Sequence, residues 1–183
     1  MAETIVIRLG AIGGDPDATE VHWAFVDGDR VRDHARGWLR EAARETVGRR
    51  VVVLVPASDV LLTSADIPTE QRRHLTRVLP FALEEQLAAD VETLHFAAAR
   101  PDEAGRTAVA VVARERMDRW LALLQSAGVW PDLLLPDVVT LPWEPGDWSL
   151  LLEMHGALLR TGGAQGYAMG AEELGALLPL AAE

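Results

Sequence analysis

Apolar and polar residues alternate through Thr4–Gly10, TIVIRLG, as they do in a half-buried strand. A Gly-Asp-Pro cluster, AIGGDPDAT, follows as a turn. Glu20–Val31 reads as a strand entering an Asp-Gly turn, hence a hairpin. ARGWLREAARETVG, residues 35–48, predicts a short helix with Trp38, Leu39, Ala42, Ala43 and Val47 near one face and Gly48 as its stop. RRVVVLVP is too short for a helix and apolar on both faces, the pattern of a central strand. DVLLTSADIP is a further strand closed by proline.

Thr69 offers an N-cap hydroxyl to the run TEQRRHLTRVLPFALEEQLAAD, in which Leu75, Val78, Leu79, Leu83 and Leu87 form one apolar stripe. Pro80 interrupts that stripe, and an interior proline costs about 3 kcal/mol through a lost hydrogen bond and a clash with the preceding turn. Two helical segments, or one sharply bent helix, are therefore expected, with Phe81 and Leu83 inward. ETLHFAAAR and RTAVAVVAR are strands joined by PDEAG. RERMDRWLALLQSAGV is a helix with Met117, Trp120, Leu121 and Leu124 inward, stopped at Gly128. WPDLLLPDVVTLPWEPGDW reads as a proline-punctuated crossover rather than a regular element. WSLLLE and GALLRT form a hairpin turning at Met154–His155, GGAQG is a turn, and AEELGALLPL closes the chain as a helix. Strands, hairpins and helices in this order imply a mixed sheet of the α/β or α+β class, with a domain boundary in Leu135–Asp147.

Composition narrows the chemistry. The 183 residues include no cysteine, which removes disulfides, thiol nucleophiles and Cys-ligated metals. All 17 basic residues are arginine, so neither a Walker A nor a Schiff-base lysine exists. The formal charge of −11 repels phosphate backbones and argues against nucleic acid, while suiting a basic protein surface. No apolar run reaches the roughly 20 residues that cross a bilayer, and the start lacks the features of a signal peptide. The chain as written is expected to be soluble and cytoplasmic.

No catalytic constellation emerges. The five histidines (His22, His34, His74, His95, His155) lack metal-ligand spacing, and no metal or cofactor is expected. Glu84 and Glu85 are adjacent, so they diverge on a helix and cannot flank one bond as acid and base. Ser58 and Ser64 have no base at a recognisable spacing. The Gly10–Gly14 stretch, GAIGG, precedes Asp-Pro-Asp rather than a helix start, and reads as a loop rather than a phosphate cradle.

Three blocks carry a resemblance: VVVLVPASDVLLTSADIP, LPFALEEQLAADVETLHFA and RWLALLQSAGVWPDLLLPDVVTLP. In order and spacing they resemble the cytoplasmic domain of the type II secretion system protein L family, over roughly Val51–Pro142. The cadence Gly128, Pro131, Asp132, Pro136, Asp137, Leu141, Pro142 is part of the match. The resemblance implies an actin-like, RNase H-like α/β fold with a mixed sheet, residues 1–142 forming a first half with an inserted subdomain and 148–183 beginning a second. It implies a non-enzymatic scaffold at the cytoplasmic face of the inner membrane that recruits the secretion ATPase through that enzyme's N-terminal domain. It further implies contact with other inner-membrane platform proteins and a homodimer in the full-length protein. Actin-like ATPases carry an Asp-x-Gly turn after the first strand of each half; the matching places here, Arg8-Leu9-Gly10 and Glu153-Met154-His155-Gly156, lack it. Arg72, Arg73, Arg77, Glu84 and Glu85 are the candidate partner contacts. A type IV pilus assembly scaffold and a nucleotide-binding actin-like protein are the alternatives.

Overall fold

The computed structural model describes residues 3–10, 15–67, 75–102, 105–154, 156–170 and 172–175. The chain divides into two compact units, Met1–Pro56 with Asp118–Asp137, and Ala57–Met117 with Val138–Glu183.

The first unit is built on a five-stranded mixed sheet in the order β3-β2-β1-β4-β8. β1 (Thr4–Leu9) pairs antiparallel with β2 (Glu20–Asp27) and parallel with β4 (Arg50–Val55). Its alternation works as expected: Ile5, Ile7 and Leu9 are buried while Thr4, Val6 and Arg8 are half-buried. β4 lies between two parallel neighbours and buries Val51, Val53, Leu54 and Val55, which explains its run of apolar residues on both faces. The β2–β3 turn puts Gly28 at φ 63°, where a side chain would be strained.

Two expectations fail here. The helix predicted over residues 35–48 is only α1 (Leu39–Arg44), because β3 (Arg30–Trp38) continues along β2 to the pair Glu20–Trp38. Sheet pairing outweighs helix preference up to Trp38, where the Glu41 carboxylate accepts the Trp38 N–H at 2.9 Å and the Leu39 N–H donates to the Thr19 carbonyl. Leu39 and Ala42 are buried as expected, but Trp38 and Val47 are exposed. The predicted crossover contains a strand, β8 (Leu133–Pro136), parallel to β4. Asp132 sets its entry: its N–H donates to the Val51 carbonyl and its carboxylate accepts the Val51 N–H at 2.8 Å. Pro136 ends this edge strand, a position where a missing donor is tolerated. Helix α3 (Arg114–Ala127) buries Trp120, Leu123, Leu124 and Ala127, and Gly128 stops it at φ 83°.

The second unit holds two three-stranded antiparallel sheets. In one, β5 (Val60–Asp66) and β6 (Leu94–Ala98) flank β7 (Arg106–Ala113), and α2 (Leu75–Leu83) packs on it. Ala65, Ile67, Leu79, Leu83, Leu94, Val109 and Val111 form the core between them, with Leu75, Val78, Leu87 and Phe96 against it. The other is a meander of β9 (Ser149–Glu153), β10 (Gly156–Gly162) and β11 (Gln165–Met169), which repeats the antiparallel order of β1, β2 and β3. The hairpin at Met154 is as expected, and the turn expected in GGAQG is present at Gly163–Ala164, but its last two residues already belong to β11, a strand the pattern did not predict. Gly166 obscured it: a Cβ there would stand 2.6 Å from Val138 and 3.0 Å from the Leu159 carbonyl, so glycine sits inside the strand for close approach. The expected closing helix, AEELGALLPL, lies mostly outside the described residues.

Candidate partner-docking surface

Helix α2 decides which of the predicted contacts face outward. Leu79 and Leu83, four residues apart, are fully buried and define its inner line. Phe81 lies two residues from each, about 200° around the helix, and so points away from the core. Its side chain is 71% exposed, which corrects the inward placement expected from the sequence. Pro80 neither ends nor begins a helix; it sits inside α2, and a 3-10 turn, Glu84–Gln86, follows. The cost of the lost hydrogen bond is met by the burial of Leu79 and Leu83 on either side.

Arg77, Phe81, Glu84 and Glu85 are all exposed on this segment. Arg77 and Phe81 are four residues apart and share one face of the helix. Among the described residues, Arg77, Glu84 and Glu85 take part in no ion pair, whereas Arg36, Arg49 and Arg116 are paired with Glu20, Glu3 and Asp59. The structure thus groups three of the five predicted contacts around an exposed aromatic ring; Arg72 and Arg73 lie outside the described residues. Phe81 was missed because a proline-interrupted stripe gives no phase for the residue after the proline.

The places matching a phosphate-binding turn are differently furnished. Arg8, near the end of β1, donates from Nε (3.1 Å) and Nη2 (2.8 Å) to Oδ2 of Asp137, a carboxylate that is nearly fully buried. An ion pair therefore sits at the carboxyl ends of β1 and β8. Glu153 closes the β9–β10 hairpin opposite Gly156. Gly10 ends the described part of its loop. Among the described residues, no three His, Asp or Glu side chains come together as a metal site.

A second arginine was overlooked. Arg160 on β10 donates to the carbonyls of Val139, Leu141, Gly162 and Gly163, and lies over the Trp143 ring at 5.9 Å. Burial pushes its guanidinium below its ordinary value. It ties the Val139–Trp143 segment to the β10–β11 turn. On the surface of the first unit, the hydrogen bond and charge of Arg36 hold the Glu20 carboxyl below its usual value.

A family model for "Type II secretion system (T2SS), protein L" matches residues 16–182. The chain belongs to the type II secretion system protein L family. Protein L of Pectobacterium carotovorum subsp. carotovorum is 43% identical over 159 residues, 84% of this chain and 37% of that protein. Protein L of Vibrio cholerae is 35% identical over 184 residues, covering 97% of this chain and 44% of that protein. The chain therefore spans less than half the length of these relatives. Among solved structures it is similar to the cytoplasmic domain of EpsL, an inner-membrane component of the V. cholerae type II secretion system. That match has TM-score 0.75 and 29% identity, over 96% of this chain and 74% of that one. The PilM–PilN type IV pilus biogenesis complex matches at TM-score 0.59 and 17% identity, over 90% of this chain and 61% of that one, a likeness of fold alone. The fold is of the mixed-sheet α/β class that the resemblance implied, and it is shared with the cytoplasmic domain of EpsL. Among the described residues, no helix is long and apolar enough to cross a membrane.

Proposed function

We propose that this protein L chain is a non-enzymatic docking module that binds the N-terminal domain of the secretion ATPase at the cytoplasmic face of the inner membrane. The observation that carries the reading is the outer face of α2, where Phe81 is exposed beside Arg77, Glu84 and Glu85, charges that have no ion-pair partner among the described residues. An aromatic side chain supplies a large apolar anchor, and surrounding charges set register and encounter rate. Arg72 and Arg73, which precede α2 in the sequence, are proposed as members of the same contact. Arg8 stands where the Asp-x-Gly turn of an actin-like ATPase would begin, and its ion pair with Asp137 supports a role without triphosphate chemistry. Contacts with other inner-membrane platform proteins, and a homodimer of the full-length protein, belong to the same scaffold role. In this reading the β9–β11 meander begins a second actin-like half, with 1–142 as the first.

Affinity of the purified chain for the N-terminal domain of the cognate ATPase, measured at low and high salt, tests the role. Saturable binding that weakens with salt is expected, since charges steer the encounter. No association at either salt concentration would contradict it.

A further inference from the structure

β9 is an edge strand with the composition of a central one. Among the described residues it pairs only with β10. Leu150 and Leu152 stand opposite Leu159 and Ala157, while Leu151 stands opposite Leu158 on the other face. Leucines on both faces suit a strand with a neighbour on each side. Here the three leucines, with Trp148 before the strand and Met154 after it, are between 38% and 87% exposed. β3, an edge of the other sheet, shows how a free edge is blunted: it carries Arg30, Arg32, Asp33, His34 and Arg36. From Trp148 to Met154 the only charge is Glu153.

The run WSLLLEM, Trp148–Met154, has the same character read from either end: apolar, polar, three leucines, polar, apolar. Two copies set antiparallel about a two-fold axis through Leu151 therefore match at every position. Leu151 meets its own copy, Leu150 meets Leu152, Ser149 meets Glu153, and Trp148 meets the Met154 sulfur. The two Glu153 side chains fall at opposite ends of the ladder. Moving the axis by one residue sets Glu153 opposite Asp147 in one direction and opposite Leu151 in the other, so the pattern selects a single register. The five exposed apolar residues hold about 500–600 Å² per copy, so a pair covers about 1,000 Å², the lower end of a specific interface.

We infer that β9 is a self-association edge: a second copy of this chain lays its own β9 antiparallel beside it, centred on Leu151, and two three-stranded sheets become one of six strands. The inference rests on the homodimer part of the reading above and supplies its surface. The ATPase is absent from the test, so failure here leaves docking through α2 untouched. Sedimentation velocity of the whole chain, from about 1 to 300 µM, should show a monomer–dimer equilibrium in the micromolar range. Leu152→Glu, at an exposed position, should weaken the dimer by about tenfold or more by setting a carboxylate against Leu150 of the other copy, and Phe81→Ala should leave it unchanged. The chain has no cysteine, so single introduced thiols read the register under oxidised glutathione. Leu151→Cys faces its own copy at about 5 Å between Cα atoms, within disulfide reach, whereas Leu150→Cys stands about 8 Å from its own copy, beyond it. Fast cross-linking is expected for Leu151→Cys, and for Leu150→Cys mixed with Leu152→Cys, with slow linking of Leu150→Cys alone. A monomer at every concentration, as a strand of the same polypeptide beside β9 would produce, would overturn the inference. So would a dimer indifferent to Leu152→Glu, or equal linking of the Leu150→Cys and Leu151→Cys variants.

Discussion

Replacing Arg160 by methionine removes a cation that four carbonyls share and that, among the described residues, no carboxylate balances. Nε donates to Gly162 at 3.0 Å, Nη1 to Val139 at 2.6 Å and to Leu141, and Nη2 to Gly163 at 2.6 Å. A hydrogen bond to a charged group contributes about 1.5–3 kcal/mol net when buried. Water replaces the donor at the exposed Gly163 carbonyl, and Arg160 has already given up hydration by burial, so the full sum does not apply. Counting chiefly the part-buried Val139 and Leu141 carbonyls, and discounting each for partial exposure, gives a loss of about 2–4 kcal/mol. Methionine keeps most of the packing against Trp143 but offers no donor. Arg160→Lys keeps the charge and one or two of the bonds, for a loss of about 1–2 kcal/mol. Urea unfolding followed by tryptophan emission and far-ultraviolet circular dichroism measures both differences. A methionine variant within about 0.5 kcal/mol of the parent would show that the carbonyl contacts carry no stability and refute the reasoning.

Leu83→Ala, at a fully buried position under α2, should cost about 2–4 kcal/mol in the same unfolding assay. Pro80→Ala should stabilise the chain by about 1–2 kcal/mol, since it restores a helical donor and relieves the clash with the preceding turn. Phe81→Ala should move stability by no more than about 0.5 kcal/mol, because the ring is exposed, yet weaken ATPase-domain binding by about tenfold or more in a titration. The Glu20 carboxyl is held below its ordinary 4.5 by Arg36. The contribution of the pair is therefore present at neutral pH and lost as pH falls through the folded-state value. Carbon-detected NMR should show the Glu20 midpoint below 4.5 and its return towards that value in Arg36→Ala.

Periodicity located the strands and helices whose faces differ most. The alternation of β1, the all-apolar run of β4 and the spacing of Leu79 and Leu83 each reappear as burial. The failures have local causes. Residues 35–38 have an acceptable helical pattern, but their partners on β2 lie twelve or more residues away, and pairing of that kind leaves no local trace. β8 is four residues, the last of them a proline, too short to show a period, and is specified by Asp132 bonding to Val51. β11 is masked by the glycine that lets Val138 approach. At the candidate surface, residue types pointed to Arg77, Glu84 and Glu85, but the aromatic ring among them required the phase of α2. That phase is set by which leucines the sheet buries. Arg160 gave no signal at all, since carbonyl acceptors carry no sequence signature.

Hydrogen exchange of the chain, alone and with the N-terminal domain of the secretion ATPase, probes the docking face most directly. Slower exchange in peptides covering Leu75–Gln86, with Arg8 and Asp137 peptides unchanged, is the expected result. Association that leaves Leu75–Gln86 exchanging as in the free chain would place the partner elsewhere and contradict the account.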